Sequence, residues 1–137
     1  MDDLRTSLAD VARAMDGVVS VYLFGSVAEN RAHAESDVDL GVLLDRALYP
    51  TDRDRFDCRL LLGTRFSDAA RRTADVVILN DAPPQLTRAI VIRGERIYCT
   101  NAALDHAFVR DAQLLAADID PWLERMRALK LAAGEKA

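Results

Sequence analysis

The chain has 137 residues and a mass of 15.1 kDa, which is the size of one domain. Hydrophobic residues make up 50% of the chain and charged residues 29%, a balance that excludes a mostly disordered protein. The formal net charge of −4 argues against a protein whose whole surface grips nucleic acid.

Hydrophobic spacing and turn residues divide the chain into alternating helices and strands. Leu4, Leu8, Val11 and Met15 recur at helical spacing. Continuous runs rich in β-branched residues, such as Val18–Phe24, are typical of buried strands. In chain order, we predict a helix over 2–15, a strand over 18–24, a short helix or loop over 26–33, a strand over 37–44, a helix from 52 to about 67, a strand over 74–80, a helix over 84–92, a strand over 95–99 and helix from 102 onward. This order predicts an α/β (α+β) domain with a small mixed β-sheet flanked by helices.

The last part of the chain predicts a helical segment, at about 101–134, within a single domain of residues 1–137. Asp120 and Pro121 predict a kink or a fresh helix start, with Asp120 as the cap and proline in the first turn. Apolar residues follow one another here at alternating spacings of four and three, which fits packing on the chain's own sheet or a seam for another subunit. They are Phe108, Ala112, Leu115, Ile119, Trp122, Met126 and Leu129.

Cysteine usage and hydropathy indicate where the protein works. Cys58 and Cys99 lie far apart and near no histidine pair, which favours two free thiols in a reducing compartment. No apolar run approaches the length of a membrane span, and the acidic start is unlike a signal peptide. We therefore expect a cytoplasmic protein with no membrane partner.

The first element with chemical meaning is the pair Gly25 and Ser26, which follows a buried strand and precedes a predicted helical turn. Glycine lets a ligand approach the backbone closely. A helix N-terminus offers free N–H groups to a phosphate, and Ser26 adds a hydroxyl donor.

Acidic residues at the starts of two predicted strands form the second element. Asp37 and Asp39 are two apart on a strand, so both side chains are expected on one side. Asp75 opens the next predicted strand and joins them if the two strands are neighbours. Clustered carboxylates repel one another unless a cation neutralises them, and hard oxygen ligands suit Mg²⁺ shared with substrate phosphates. Taken alone, a pair such as Asp37 and Asp39 is more often two solvated carboxylates at a strand start than a metal site.

The combination of Gly25-Ser26, a spacer of ten residues, the run from Ser36 to Leu40 and the later Asp75 resembles the DNA-polymerase-β-type nucleotidyltransferase superfamily. Within it, the short chain is similar to the minimal nucleotidyltransferases (MNT) over nearly its whole length. This resemblance implies the polymerase-β-like nucleotidyltransferase fold.

The resemblance also implies an activity: transfer of AMP from ATP with Mg²⁺. It assigns the triphosphate to Gly25 and Ser26, and the metals to Asp37, Asp39 and Asp75, with Asp75 as the candidate base. Arg31 and Ser36 are expected to be further nucleotide contacts. Many MNT proteins are antitoxins that add AMP to a tyrosine of a partner HEPN-type RNase toxin, so such a toxin is the expected partner, in a homo- or hetero-oligomer.

One stretch departs from the family pattern, in which arginine and glycine usually follow the matching Ala28. Glu29 and Asn30 stand there instead, and Glu29 would not attract a phosphate. Arg31, one residue on, substitutes for the usual arginine if the loop shifts, and is otherwise an ordinary exposed arginine.

Two other functions stay open at this point. The protein could neutralise its partner by binding alone, with a weak or inactive site, as the departure at Glu29 and Asn30 would allow. It could also modify a small molecule such as an aminoglycoside, although about 137 residues leave little room for a second substrate-binding domain. Direct work on nucleic acid is not expected, since no basic stripe is evident.

Overall fold

The computed structural model describes residues 2–28 and 36–134, in which helices and strands alternate along the chain. The elements are α1 (Asp2–Arg13), β1 (Val18–Phe24), α2 (Gly25–Ala28), β2 (Val38–Leu44), α3 (Asp52–Ala70), β3 (Ala74–Ile78), a 3₁₀ turn (Leu79–Asp81), α4 (Pro84–Arg93), β4 (Glu95–Cys99) and α5 (Ala102–Gly134). The mixed α/β class expected from the sequence is confirmed.

The strands form one sheet in the order β3-β2-β1-β4. β1 is antiparallel to both β2 and β4, whereas β2 and β3 run parallel. The sheet is therefore mixed, and β3 is an edge strand. The parallel register places Asp39 of β2 directly beside Asp75 of β3.

Alternation along the strands sends apolar side chains to both faces of the sheet, and each face has its own core. On one face, Leu23 and Leu40 pack with Leu8 of α1 and with Phe66 of α3. On the opposite face, a smaller core that includes Ile90 of α4 is flanked by residues of α5. β1 and β2 are thus buried on both sides over most of their length, as their apolar runs predict, whereas Asp75 of β3 and the first two residues of β4 are exposed.

Several boundaries differ from the predicted ones. The first helix ends at Arg13, two residues early. The third helix runs on to Ala70, where Arg71 takes a left-handed conformation at the C-cap. The third strand stops at Ile78, because Asn80 turns back and its side-chain amide exchanges two hydrogen bonds of 2.9 Å with the backbone of Leu44.

Pro121 does not begin a new helix, contrary to the predicted kink or fresh start. α5 continues through it as one helix of 33 residues. Asp120 does not act as a cap, because its carboxylate instead pairs with the Arg88 guanidinium of α4 at 2.7 Å. This ion pair holds the middle of α5 against α4, and beyond it Trp122 stays 53% exposed.

Both thiols are free, as expected, with Cys58 buried and Cys99 partly buried. Across the part of the chain that the structure describes, no helix combines the length and the apolar character that a membrane crossing requires.

The N-terminus of α3 gives a first testable prediction. The Thr51 hydroxyl accepts a hydrogen bond of 3.0 Å from the Asp54 backbone N–H, which otherwise has no partner in the first helical turn. Thr51→Ala is expected to lower the free energy of unfolding by about 1 kcal/mol, measured by urea denaturation. Thr64→Ala, whose hydroxyl is exposed within the same helix, is the control. Equal unfolding curves for wild type and Thr51→Ala would contradict the capping role.

Candidate active site

Three elements bring the predicted site residues to one end of the sheet. β1 ends at Phe24, which lies opposite Asp39 of β2, and Gly25 follows at once. On the other side of β2, Asp39 faces Asp75 of β3. Gly25, Asp39 and Asp75 are thus gathered as the sequence predicts, although they lie far apart in the chain.

Gly25 packs so closely on Asp39 that any side chain at this position would push the Asp39 carboxylate aside. A Cβ on Gly25 would overlap the Asp39 Oδ2 atom, and the backbone φ of Gly25 is +76°, a conformation that side chains disfavour. The glycine therefore leaves room for the carboxylate against the start of α2.

The surroundings of the Asp39 carboxyl shift its pKa. Partial burial raises its pKa above the ordinary value of 3.8, and the neighbouring charges of Asp75 and Asp37 raise this pKa further. Asp37 and Asp75 themselves are exposed. Asp37 lies one residue before β2 begins, so the alternation argument from the sequence covers Asp39 but not Asp37.

The donor chemistry of these acids suits a hard cation, since all three present carboxylate oxygens and their charges oppose one another. Among the described residues, however, no three acidic, imidazole or thiol side chains converge as a ready-made metal-binding group. The three acids therefore fit Mg²⁺ by ligand type, and substrate phosphates would have to complete its coordination.

The segment that leads into β2 is held by residues that the sequence analysis did not single out. The Val38 N–H donates to the Thr73 carbonyl at 2.9 Å, and the Arg72 guanidinium donates to the Ser36 carbonyl at 3.3 Å. Both contacts fix the backbone on either side of Asp37. The only sequence signal was the basic pair of residues 71–72 just before β3.

Arg31, Ser26 and Ser36 are the other residues that the sequence predicts as nucleotide contacts. Arg31, and the departures Glu29 and Asn30, lie outside the described residues. Ser26 belongs to α2, and Ser36 immediately precedes the acidic pair. Their proposed contacts with a nucleotide stay predictions.

The close fit at Gly25 gives a second prediction. Gly25→Ala is expected to displace the Asp39 carboxylate and to strain the backbone, at a cost of about 1–3 kcal/mol in stability. The nucleotidyl transfer expected from the sequence should fall at least about 100-fold, because a displaced Asp39 carboxylate is no longer in position to hold the predicted cation on the reacting phosphates. Gly63→Ala is the matched control, since a Cβ there meets nothing within 4 Å. Full activity in Gly25→Ala would show that the close packing is unimportant.

Solved structures share this fold. A chain from a toxin–antitoxin crystal structure with AMP-PNP has a TM-score of 0.68 and 23% identity, over 90% of this chain and 98% of that one. A chain from the MntA-HepT toxin–antitoxin gives a TM-score of 0.65 and 20% identity, over 93% and 99%. A chain from a complex of tri-AMPylated Shewanella oneidensis HEPN toxin with MNT antitoxin gives 0.63 and 21%, over 90% and 96%.

At these identities the likeness establishes the fold, in agreement with the fold that the resemblance implied. No curated protein matches the chain. The family model described as "Polymerase beta, Nucleotidyltransferase" matches residues 6–103, which include Gly25, Asp39 and Asp75. The match covers well over half of the chain, and this protein therefore belongs to the polymerase β nucleotidyltransferase family.

Proposed function

We propose that this nucleotidyltransferase transfers AMP from ATP to a tyrosine hydroxyl of a partner HEPN-type RNase toxin, and so acts as its antitoxin. The observation that carries the proposal is the seating of the Asp39 carboxylate against Gly25 with Asp75 beside it. Structures with the same fold include a toxin–antitoxin with AMP-PNP and a complex with a tri-AMPylated HEPN toxin, which supports this choice of nucleotide and acceptor.

In this proposal the backbone at Gly25 and Ser26 holds the triphosphate, with Arg31 and Ser36 as further contacts. Asp37, Asp39 and Asp75 would hold Mg²⁺. Bound Mg²⁺ supplies positive charge that offsets the charge developing on the phosphates. The Asp39 carboxyl, whose pKa is raised in the protein alone, gains most from such neutralisation.

The chemical step is a displacement at the α-phosphorus of ATP. The tyrosine oxygen attacks phosphorus, the bond between the α-phosphorus and the bridging oxygen breaks, and pyrophosphate leaves. The phenolic proton passes to the exposed Asp75 carboxylate, the candidate base. Gly25 and the anchored segment before β2 position the groups, so that most of the protein's contribution is alignment.

The test combines the purified chain, ATP labelled on its α-phosphate, Mg²⁺ and the product of the neighbouring gene. We expect the label on a tyrosine of that product, located by peptide mass spectrometry, and loss of its toxicity. If the neighbouring gene product stays unlabelled, and wild type and Asp37→Ala/Asp39→Ala neutralise it equally well, the antitoxin acts by binding alone and not by catalysis. Label on an added aminoglycoside, with none on protein, would make the chain a small-molecule enzyme.

A further inference from the structure

An open groove follows the outer edge of β3 and reaches the candidate active site. It consists of two adjoining cavities of about 580 and 520 Å³, which share Phe56, Arg59 and Val76. One cavity extends to Leu86 of α4, and the other ends at Asp75. We call this feature the edge groove.

Large apolar side chains from two helices stand exposed along the edge groove. Phe56 and Leu60 of α3 are 47% and 56% exposed, and Leu86 of α4 is 40% exposed. Apolar side chains grouped around one cleft mark a surface that binds a partner. Their position on either side of an edge strand makes a channel rather than a flat patch.

The backbone along the edge groove is already partly bonded by side chains. The Ser67 hydroxyl accepts from the Ala74 N–H at 2.9 Å, and the Arg59 Nε donates to the Val76 carbonyl at 2.8 Å. Such capping guards an edge strand against indiscriminate pairing. These two contacts reduce the number of backbone groups available for strand addition, so side chains carry more of the recognition of a ligand in the groove.

Charge distinguishes the two ends of the edge groove. At the active-site end, Asp68 and Asp75 form no salt bridge with another described residue. At the other end, the Arg55 guanidinium pairs with Asp81 at 2.9 Å and with Asp52 at 2.7 Å, so the two carboxylates there are partly neutralised. A ligand that fits both ends places a basic side chain near Asp68 and apolar groups toward Leu86.

We infer that the edge groove seats the segment of the acceptor protein that flanks the modified hydroxyl. This inference rests on the proposed function, and it assigns the recognition of the protein acceptor to α3 and β3. The five residues of β3 span about 16 Å, so the groove takes about five residues of an extended segment. Its apolar side chains contact Phe56, Leu60 and Leu86, while the hydroxyl group reaches Asp75.

The test uses neighbouring leucines of α3 that face different ways. Leu60 lines the edge groove, whereas Leu61 is 43% exposed on another side of the helix, near Met15. Leu60→Asp is expected to raise the KM for the protein acceptor at least about tenfold, with kcat and the affinity for AMP-PNP unchanged. Leu61→Asp should behave like wild type. Leu86→Asp tests the opposite wall, and circular dichroism confirms that each variant folds.

Acceptor binding in the edge groove and nucleotidyl transfer to the acceptor fail in distinguishable ways. Wild-type labelling of the acceptor with equal KM values for Leu60→Asp, Leu86→Asp and Leu61→Asp would overturn the inference alone. Weaker AMP-PNP binding by Leu60→Asp would assign the groove to the nucleotide and also overturn it. Failure of the wild type to label any protein would overturn both.

Discussion

Asp39→Asn is expected to abolish nucleotidyl transfer while leaving the fold at least as stable as wild type. The amide keeps the size of the side chain but lacks the negative charge with which Asp39 is proposed to hold a cation on the phosphates, so activity should fall about 100- to 1000-fold. Stability should not fall, because the wild-type carboxylate is partly desolvated and faces Asp75 and Asp37. Initial rates with labelled ATP and urea unfolding measure the two effects.

The pH dependence of the same variant gives a stricter check. The pKa of Asp39 is raised above 3.8 in the folded state. At pH values between 3.8 and the raised pKa, Asp39 therefore binds a proton in the folded protein that it does not bind in the unfolded chain. Wild-type stability relative to Asp39→Asn should therefore decrease as pH rises through that window, and level off above it. A relative stability that increases with pH would contradict the assigned environment of Asp39.

Mg²⁺ with AMP-PNP provides the complementary measurement. Ligands that bind only the folded state raise its stability, by about 2.7 kcal/mol at a concentration one hundred times the dissociation constant. Wild type should gain thermal stability on addition of both ligands, and removal of Mg²⁺ with EDTA should reverse most of the gain. Asp39→Asn should gain much less. An equal shift in both proteins would remove Asp39 from the metal site.

Asp105→Ala is expected to cause the largest loss of stability of any single substitution discussed. Asp105, in the first turn of α5, is only 3% exposed. Its carboxylate accepts from the Ser20 hydroxyl at 2.6 Å, the Tyr22 hydroxyl at 3.0 Å and the Arg96 guanidinium at 3.0 Å. Truncation leaves two buried hydroxyls and a cation without their acceptor, which costs about 3 kcal/mol.

Urea unfolding of matched variants tests this network. Asp111→Ala removes an exposed acid from the same helix and should change stability by less than about 0.5 kcal/mol. Tyr22→Phe removes one donor and should cost about 1 kcal/mol. Burial and the charge of Asp105 raise the pKa of Tyr22, and this shift should be reduced in Asp105→Asn, as seen by the ultraviolet absorbance of tyrosinate at high pH. A cost of Asp105→Ala no larger than that of Asp111→Ala would refute the role of the network.

The sequence predicts β1 and β2 well because their apolar runs are nearly continuous. β1 and β4 have the predicted limits, since Gly25 and Gly94 mark clear boundaries. The pairing of Asp39 with Asp75 was conditional on β2 and β3 being neighbours, which local patterns do not determine. The parallel register is what turns two separate acids into one candidate site.

Polar contacts between residues far apart in the chain could not be predicted from the sequence, for a physical reason. Asp105 has the character of a surface residue in an amphipathic helix, yet it bonds to Ser20, 85 residues earlier. Arg55 is likewise 4% exposed because Asp81 and the Tyr49 carbonyl satisfy its guanidinium. The burial of a charged side chain depends on the partners that tertiary packing brings to it. The spacing of hydrophobic residues along the sequence carries no information about those partners.

The link between Asp105 and β1 also bears on where the folding unit ends. The family model stops at residue 103, two residues before the carboxylate on which Ser20, Tyr22 and Arg96 converge. Farther along α5, Ala112 and Ala116 are buried as well. A polypeptide that ended at residue 103 would lack the Asp105 carboxylate to which Ser20 and Tyr22 of β1 donate. The segment that the family model matches is therefore shorter than the segment that folds as one unit. Replacing α5 by the corresponding helix of a relative therefore requires that the new helix also supply an acceptor for Ser20 and Tyr22, on the strand that leads to Gly25.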